Sequence, residues 1–129
     1  MTDSLLLRLA GIAEMEFADV TTGYEITQGK LRMYIVDGTF LDVWFSKYLQ
    51  GRYAYHWERR RMNNTIYRWD NAKHEVWKNV RTFPHHFHNR TDDNVSESFL
   101  PSDSDAAIRF VLGFVRDVIY RGRRGEGVG

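Results

Sequence analysis

All five histidines of this 129-residue chain fall between residues 51 and 90, a stretch that also contains nine Lys or Arg residues and three acids. Histidine can take up or release a proton near neutral pH, and the guanidinium of arginine can bind a phosphate through two hydrogen bonds at once. Attack of a ribose 2′-hydroxyl on the neighbouring phosphate needs a base, an acid and cations for the developing charge. The stretch therefore contains the groups needed to cleave RNA without a metal ion or other cofactor.

The candidate site residues divide into two groups by the chemistry expected of them. Those expected to act in catalysis are His56, Arg68, Asp70, His74, His86 and His88. Those expected to bind nucleic acid are Arg52, Tyr55, Lys73, Arg81 and His85. Within the first group, the aspartate can orient an imidazole and fix its tautomer. A charge balance of +6 over residues 51–90, against −3 over residues 1–50, favours a polyanionic partner such as RNA.

Each of these residues also has a structural interpretation. The aromatic residues of the stretch are typical of a sheet core beneath a helix. A histidine that alternates with them, such as His56, is often merely solvated on the opposite face. Asp70 and Asn71 are typical of a turn, in which case His74 binds the loop backbone.

The sequence His85-His86-Phe87-His88 leaves three interpretations open. In an extended segment the second and third imidazoles project to the same side, and with His74 or Asp70 they form a candidate zinc or nickel site. Alternatively, they contact RNA, or one of them is buried while Phe83 and Pro84 pin the loop to the sheet. Because metal ligands usually lie on rigid elements and this motif follows a proline in a loop, we predict no metal ion here.

The elements that position these residues follow from hydrophobic periodicity. Apolar residues at helical spacing predict helices over 3–14 and about 103–121, with Gly122 as the stop. Alternating residues predict strands over 20–27, 30–37, 39–45, 52–58 and 65–70. Residues 71–101 look irregular, apart from a short helical turn within 71–80. The prediction is one α+β domain over 1–121, an antiparallel sheet of about five strands with both terminal helices on one face, followed by a flexible basic tail, 122–129.

Composition excludes several classes of protein. The chain has no cysteine, which excludes disulfides, thiolate metal sites and cysteine nucleophiles. No apolar run approaches the ~18 residues of a membrane span, and the first residues do not form a secretory signal, so we expect a cytoplasmic protein with no membrane partner. Neither a glycine-rich phosphate loop nor a nucleophilic-serine elbow is present.

Three short motifs, in this order along the chain, resemble the TumE family of toxins from bacterial and archaeal toxin–antitoxin systems. They are Tyr55-His56-Trp57, Arg68-x-Asp70-Asn71-Ala72-x-His74 and Phe83-Pro84-His85-His86-x-His88. The resemblance extends over roughly residues 15–120. It is weaker at residues 73 and 75–78 and at Arg59-Arg60-Arg61, where the family has no fixed pattern.

The resemblance implies a toxin of a type II pair, with a helix-turn-helix antitoxin as its partner and a fold similar in outline to RelE and ParE toxins. RelE-like toxins cleave mRNA, often on the ribosome, and ParE-like toxins act on gyrase. We therefore expect a metal-independent endoribonuclease whose substrate is RNA, ribosome-bound mRNA included. Two alternatives remain, a non-catalytic toxin that blocks its target and a metal-binding enzyme built on the histidine loop. The oligomeric state is open, a dimer included.

Overall fold

The computed structural model of the protein describes residues 2–128, and within this range the chain forms seven strands and two long helices. The helices are α1 (Thr2–Glu16), the single turn α2 (Arg60–Asn63) and α3 (Ser104–Val128), with a 3-10 turn at Glu75–Trp77. The strands are β1 (Thr21–Thr27), β2 (Lys30–Ile35), β3 (Phe40–Phe45), β4 (Tyr53–Arg59), β5 (Thr65–Asp70), β6 (His86–Arg90) and β7 (Val95–Glu97). No helix in the described range is both long enough and apolar enough to cross a bilayer.

The seven strands form one antiparallel sheet in which each strand pairs with its neighbour in sequence, in the order β1 to β7. Tight turns fix the register of the first strands. Gln28 and Gly29, between β1 and β2, have φ values of 55° and 75°, the left-handed conformation that two-residue hairpin turns require at both positions. Register then decides which side chains meet across the sheet, because a slip of one residue would move every side chain to the other face.

The core lies between one face of the sheet and the two long helices. Its buried members include Leu41, Val43, Tyr55, Trp57, Tyr67 and Trp69 from the strands, and Leu6, Leu9, Ile108, Leu112 and Val115 from the helices. Phe114 of α3 meets Tyr67 and Trp69 edge-on, with ring centroids 4.8 and 5.1 Å apart. The predicted packing of the C-terminal helix on the aromatic face of β4 and β5 is therefore confirmed.

Two sequence-based expectations about the elements are wrong. The sheet has seven strands rather than about five, because β6 and β7 lie in the segment 71–101 that was expected to be irregular. β6 reads His-Phe-His-Asn-Arg, and these mostly polar residues give no apolar alternation to recognise. The 3-10 turn agrees with the short helical turn expected within 71–80. The second wrong expectation concerns the end of α3, which continues through Gly122 instead of ending there. The flexibility expected of 122–129 stays a prediction, and residue 129 lies outside the described residues.

Candidate functional site

A row of polar side chains crosses the sheet on the face opposite the helices. Asp42, His56, Arg68 and His88 lie directly opposite one another on β3, β4, β5 and β6. In the adjacent row Asp70 lies opposite His86. Because side chains alternate between the two faces of a strand, all of these residues point away from the aromatic core. Five of the six residues expected from the sequence to act in catalysis therefore meet on one surface.

Asp70 is the centre of this cluster. Its Oδ2 accepts a hydrogen bond from Arg68 Nε at 2.7 Å, and its Oδ1 accepts one from the backbone N–H of Ala72 at 3.1 Å. His86 Nε2 lies 2.8 Å from Oδ1, and His88 Nε2 lies 3.4 Å from Oδ2. Burial alone would raise the pKa of the Asp70 carboxyl, but these cationic and N–H groups hold it well below its usual range. Asp70 is therefore an anion buried beneath the surface of the sheet.

The two imidazoles beside Asp70 are held in one orientation by the backbone. His86 Nδ1 lies 2.8 Å from the carbonyl oxygen of Pro84, and His88 Nδ1 lies 2.9 Å from that of Asp92. A carbonyl oxygen only accepts, so each Nδ1 carries a hydrogen and each Nε2 is directed at the carboxylate. His86 is 1% exposed and His88 is 7% exposed. Burial would lower the pKa of His88, but its contact with Asp70 outweighs that effect and raises it.

His56 is the more accessible histidine of the surface and has two charged partners. Its Nδ1 lies 3.3 Å from Arg68 Nη1, and its Nε2 lies 3.1 Å from Glu58 Oε1. Since a guanidinium only donates and a carboxylate only accepts, the neutral ring carries its hydrogen on Nε2 and a lone pair on Nδ1. Burial and, to a smaller extent, Arg68 lower the pKa of His56, although Glu58 opposes them. The imidazole is thus neutral at physiological pH.

A shallow cavity of about 480 Å³ opens over His56 and Arg68. Its lining consists of Lys30, Asp42, Trp44, Ala54, His56, Glu58, Arg60 and Arg68. Both acids in this lining have cationic partners. Asp42 receives two hydrogen bonds from Arg32, at 2.8 and 2.9 Å. Glu58 accepts the backbone N–H of Arg60 at 2.9 Å and lies 3.8 Å from Arg60 Nε. The cavity is therefore lined by three cations, Lys30, Arg60 and Arg68, around one neutral imidazole, and each cation lies within 4 Å of a carboxylate. A phosphate that binds here would compete with those carboxylates for the cations.

The structure does not bring the other expected residues to this cavity. His74 and Lys73 are exposed in the segment between β5 and β6, and the backbone of His74 begins the 3-10 turn. Arg81 is also exposed, and its guanidinium is paired with Glu97 at 3.0 and 2.8 Å.

Three of the residues expected to bind nucleic acid surround a second cavity, of about 490 Å³, at the other end of β4. They are Arg52, Tyr55 and His85. The ring of His85 stacks on Tyr53, whose hydroxyl lies 2.9 Å from His85 Nδ1. Burial and the nearby Asp70 raise the pKa of Tyr53 to about 12. Tyr55 is only 2% exposed and belongs to the core. Its ring is therefore not available to stack on a base at the polar face.

Only His56 and Arg68 of the residues that line this cavity were expected from the sequence, and the residues that were missed include Lys30, Glu58 and Arg60. Glu58 was identifiable, because it follows His56 by two residues on the same strand and so points to the same face. Lys30 comes from β2 and is brought near only by the register of three strands, which the sequence does not specify. Arg60 belongs to a run of three arginines, of which the sequence alone does not select one.

Comparisons with known proteins were made for the whole chain. A family model described as Toxin TumE matches residues 3–119. No curated protein and no solved structure matched in the other two comparisons. The expected likeness to RelE and ParE toxins therefore stays a prediction.

Proposed function

This chain belongs to the TumE toxin family, and from this premise we propose that it is an endoribonuclease whose catalytic groups are His56 and Arg68. Membership of the family makes the chain a toxin and implies an antitoxin as its partner. The observation that carries the proposal is the contact of the two side chains, 3.3 Å apart, at the floor of an open cavity lined by three cations and two acids. The side chains of Arg68 and His56 are 35% and 16% exposed, whereas those of Asp70 and His86 are 6% and 1% exposed.

In the free protein Arg68 occupies the lone pair of His56 Nδ1. Binding of the substrate would free that nitrogen to act as the catalytic base. A phosphate that binds the guanidinium of Arg68 takes over the hydrogens of Nη1 and leaves the lone pair of His56 Nδ1 free. The freed nitrogen accepts the proton of the ribose 2′-hydroxyl as the new bond from 2′-oxygen to phosphorus forms. Glu58, bound to Nε2, holds the ring in place and stabilises the imidazolium that results.

The leaving group is the 5′-oxygen of the next nucleotide. As its bond to phosphorus breaks, it takes a proton from the ammonium of Lys30. The products are a 2′,3′-cyclic phosphate and a free 5′-hydroxyl. The His56 imidazolium then gives its proton to water and Lys30 takes one from water, so both groups return to their starting state. Arg68 and Arg60 offset the negative charge that develops on the phosphoryl oxygens.

The buried cluster has a supporting part in this proposal. His86 was expected to act in catalysis, but at 1% exposure its Nε2 faces Asp70 rather than the cavity. We therefore propose that Asp70, His86 and His88 are positioning residues. Asp70 binds the guanidinium of Arg68 and fixes it at the floor of the cavity, and the two histidines hold Asp70 in place. RNA as a substrate also supports a cytoplasmic site of action. A helix-turn-helix protein as the antitoxin, and hence a type II system, is part of the same proposal.

The decisive test compares His56→Ala with Tyr34→Ala, a matched control on the same face of the sheet outside the cavity. With purified toxin and a defined RNA, we expect the first change to lower cleavage by about 10²–10⁴-fold and to leave RNA binding nearly unchanged. The control should cleave normally, and mass spectrometry should find cyclic phosphate ends. Normal cleavage by the His56 variant would exclude the mechanism. RNA binding without any cleavage would instead favour a toxin that blocks its target.

The pH dependence gives an independent readout. A base must be deprotonated to act, so cleavage should be lost as the pH falls through the pKa of His56, which lies below the ordinary value for histidine. The charged groups that line the cavity with this ring are Lys30 on β2, Asp42 on β3, Glu58 on β4, Arg60 on α2 and Arg68 on β5. Removing the carboxylate with Glu58→Gln should lower that pKa further and move the acid limb of the profile to lower pH. An unmoved limb would mean that another group is the base.

A further inference from the structure

We propose that Asp70, His86 and His88 bind one divalent transition metal ion of the zinc class. The ion would lie beneath the polar cavity and link β5 to β6. Two imidazole nitrogens and one carboxylate oxygen form a ligand set typical of such ions. The proposal goes beyond the proposed function, in which no step uses a metal.

The spacing of the three donor groups fits an ion between them. Zinc binds nitrogen and oxygen ligands at about 2.0–2.2 Å, so two ligands of one ion lie about 3.0 Å apart at a right angle and about 3.4 Å apart at a tetrahedral angle. Asp70 Oδ1 and His86 Nε2 are 2.8 Å apart, and Asp70 Oδ2 and His88 Nε2 are 3.4 Å apart. The three ligand atoms all lie within 4.8 Å of one another. Small side-chain movements would therefore complete the site.

The surroundings of the imidazoles are those expected of metal ligands. A metal-binding histidine usually donates its other ring N–H to a backbone carbonyl or a carboxylate, which fixes the tautomer. Both histidines do so through Nδ1, one to Pro84 and the other to Asp92. Their Nε2 atoms are thereby directed toward the Asp70 carboxylate. Without an ion these nitrogens carry protons toward the carboxylate, and binding of a metal ion would displace those protons. The two rings are adjacent, with centroids 4.8 Å apart and planes at 73°.

An unpartnered polar atom gives a second and independent indication of a ligand. His86 Nε2 is fully buried and has no hydrogen-bond partner of acceptable geometry among the described residues, although Asp70 Oδ1 is close. The His86 imidazole and the Asp70 carboxylate are therefore close enough for an ion pair, but they lack the alignment of a hydrogen bond. A buried polar atom without an aligned partner destabilises the fold. A metal ion bound to Nε2 would supply that partner.

Arg68 should lower the affinity of the site for a cation, but it binds only one of the two carboxylate oxygens of Asp70. Its guanidinium is bonded to Asp70 Oδ2 at 2.7 Å and repels a nearby cation. Asp70 Oδ1, beside His86, is bonded only to the N–H of Ala72 among the hydrogen bonds described for it and keeps a lone pair for the ion. The ion therefore binds as a structural link between two strands.

The test is the binding of Zn²⁺ alone, and of Co²⁺ alone as a spectroscopic probe, to the full-length protein after treatment with a chelator. We expect one ion per chain by calorimetry, a Co²⁺ absorption spectrum typical of mixed nitrogen and oxygen ligands, and a rise in Tm on adding Zn²⁺. His88→Gln should lower the affinity at least about 100-fold, since loss of a second-shell partner alone costs about 10–100-fold. The matched control His74→Gln removes an exposed imidazole and should bind as the unaltered protein does.

Two results would overturn the proposal. One is the absence of stoichiometric binding to the unaltered, folded protein. The other is equal binding by His88→Gln, with its fold verified by circular dichroism, because the ion would then lie elsewhere. Neither measurement involves RNA, so failure of the metal site leaves the proposed cleavage untouched. Conversely, loss of cleavage in His56→Ala says nothing about metal binding.

Discussion

The two faces of β4 and β5 are built from the same strands but are stabilised in opposite ways. On the helix side Trp57 and Tyr67 stack with centroids 5.4 Å apart, and Trp69 stacks on Phe87 at 4.8 Å. These rings share many weak contacts, none of which is indispensable. On the polar side the contacts converge on a single carboxylate, Asp70.

This difference shows where each face is sensitive to substitution. The aromatic face loses stability in proportion to the volume that is removed. The polar face depends on one buried anion and on the cations that neutralise it, so removing a single group leaves the others uncompensated.

The largest effect is expected for Asp70→Ala. The change leaves Arg68, two imidazoles and a backbone N–H without their shared acceptor beneath the surface. Breaking a buried ion pair in this way costs about 3–5 kcal/mol, to be measured by urea unfolding in the presence of a chelator. Asp117→Ala is the control, since that carboxylate is also paired with an arginine, Arg121, but is 64% exposed, and its loss should cost about 1 kcal/mol or less. Equal losses for the two variants would remove the contrast between buried and open anions.

The next effect tests the aromatic face. Leu112 is fully buried between α3 and the sheet, so Leu112→Ala should lower the free energy of unfolding by about 2–5 kcal/mol. The matched control is Leu49→Ala, because Leu49 is 54% exposed and its removal should change stability by less than about 0.5 kcal/mol. Calorimetric unfolding of both variants gives the comparison. A near-neutral Leu112 variant would mean that the helix stripe faces a partner rather than the core.

The aromatic face was the part of the fold that the sequence specified best. Alternation of apolar and polar residues predicts β2 to β5 within about two residues, and it places Trp57 and His56 on opposite faces as observed. It fails for β6, because histidine and asparagine occupy positions where buried strands usually carry apolar residues. A sheet strand that supplies polar ligands is thus hidden from hydrophobic periodicity.

The polar face could be predicted only in part, for the same physical reason. The spacing of His86 and His88 places both imidazoles on one side of an extended segment, and Asp70 was identified as a residue that orients an imidazole. Their meeting depends on the register of β5 against β6, in which Asp70 lies opposite His86 and Arg68 lies opposite His88. No local pattern specifies such a register. His74 illustrates this limit, since it is only four residues from Asp70 but is exposed outside the cluster.

A smaller effect concerns the charge of the polar cavity. If Lys30 and Arg60 contact RNA phosphates, each should add about 0.7 to the slope of log affinity against log salt concentration, as single strands release fewer counterions than duplexes. The double change Lys30→Gln, Arg60→Gln should therefore lower that slope by about 1.4, measured by fluorescence anisotropy with a short RNA. Arg109→Gln is the control, because Arg109 lies on α3 and is paired with Glu16. An equal fall in both proteins would place the RNA elsewhere.

The smallest effect tests whether burial or ion pairing makes the fold sensitive to the loss of a carboxylate. Asp19, after α1, resembles Asp70 in its partners, since Arg116 of α3 binds it through Nε at 2.8 Å and Nη2 at 2.6 Å, and the hydroxyl of Tyr120 also donates to it. Hydrogen bonding from Arg116 lowers the pKa of Asp19 to about 2. However, the side chain is 37% exposed, and solvent screens the pair.

A carboxyl whose pKa is lower in the folded than in the unfolded state stabilises the fold above the unfolded value, near 4, and loses that effect as the pH falls toward 2. We therefore expect Asp19→Asn to cost about 1 kcal/mol or less at pH 7, and the difference from the unaltered protein to vanish near pH 2. Urea unfolding of both proteins at a series of pH values measures it. A cost comparable to that of Asp70→Ala would mean that the bidentate contact itself, and not burial, makes a carboxylate indispensable in this fold.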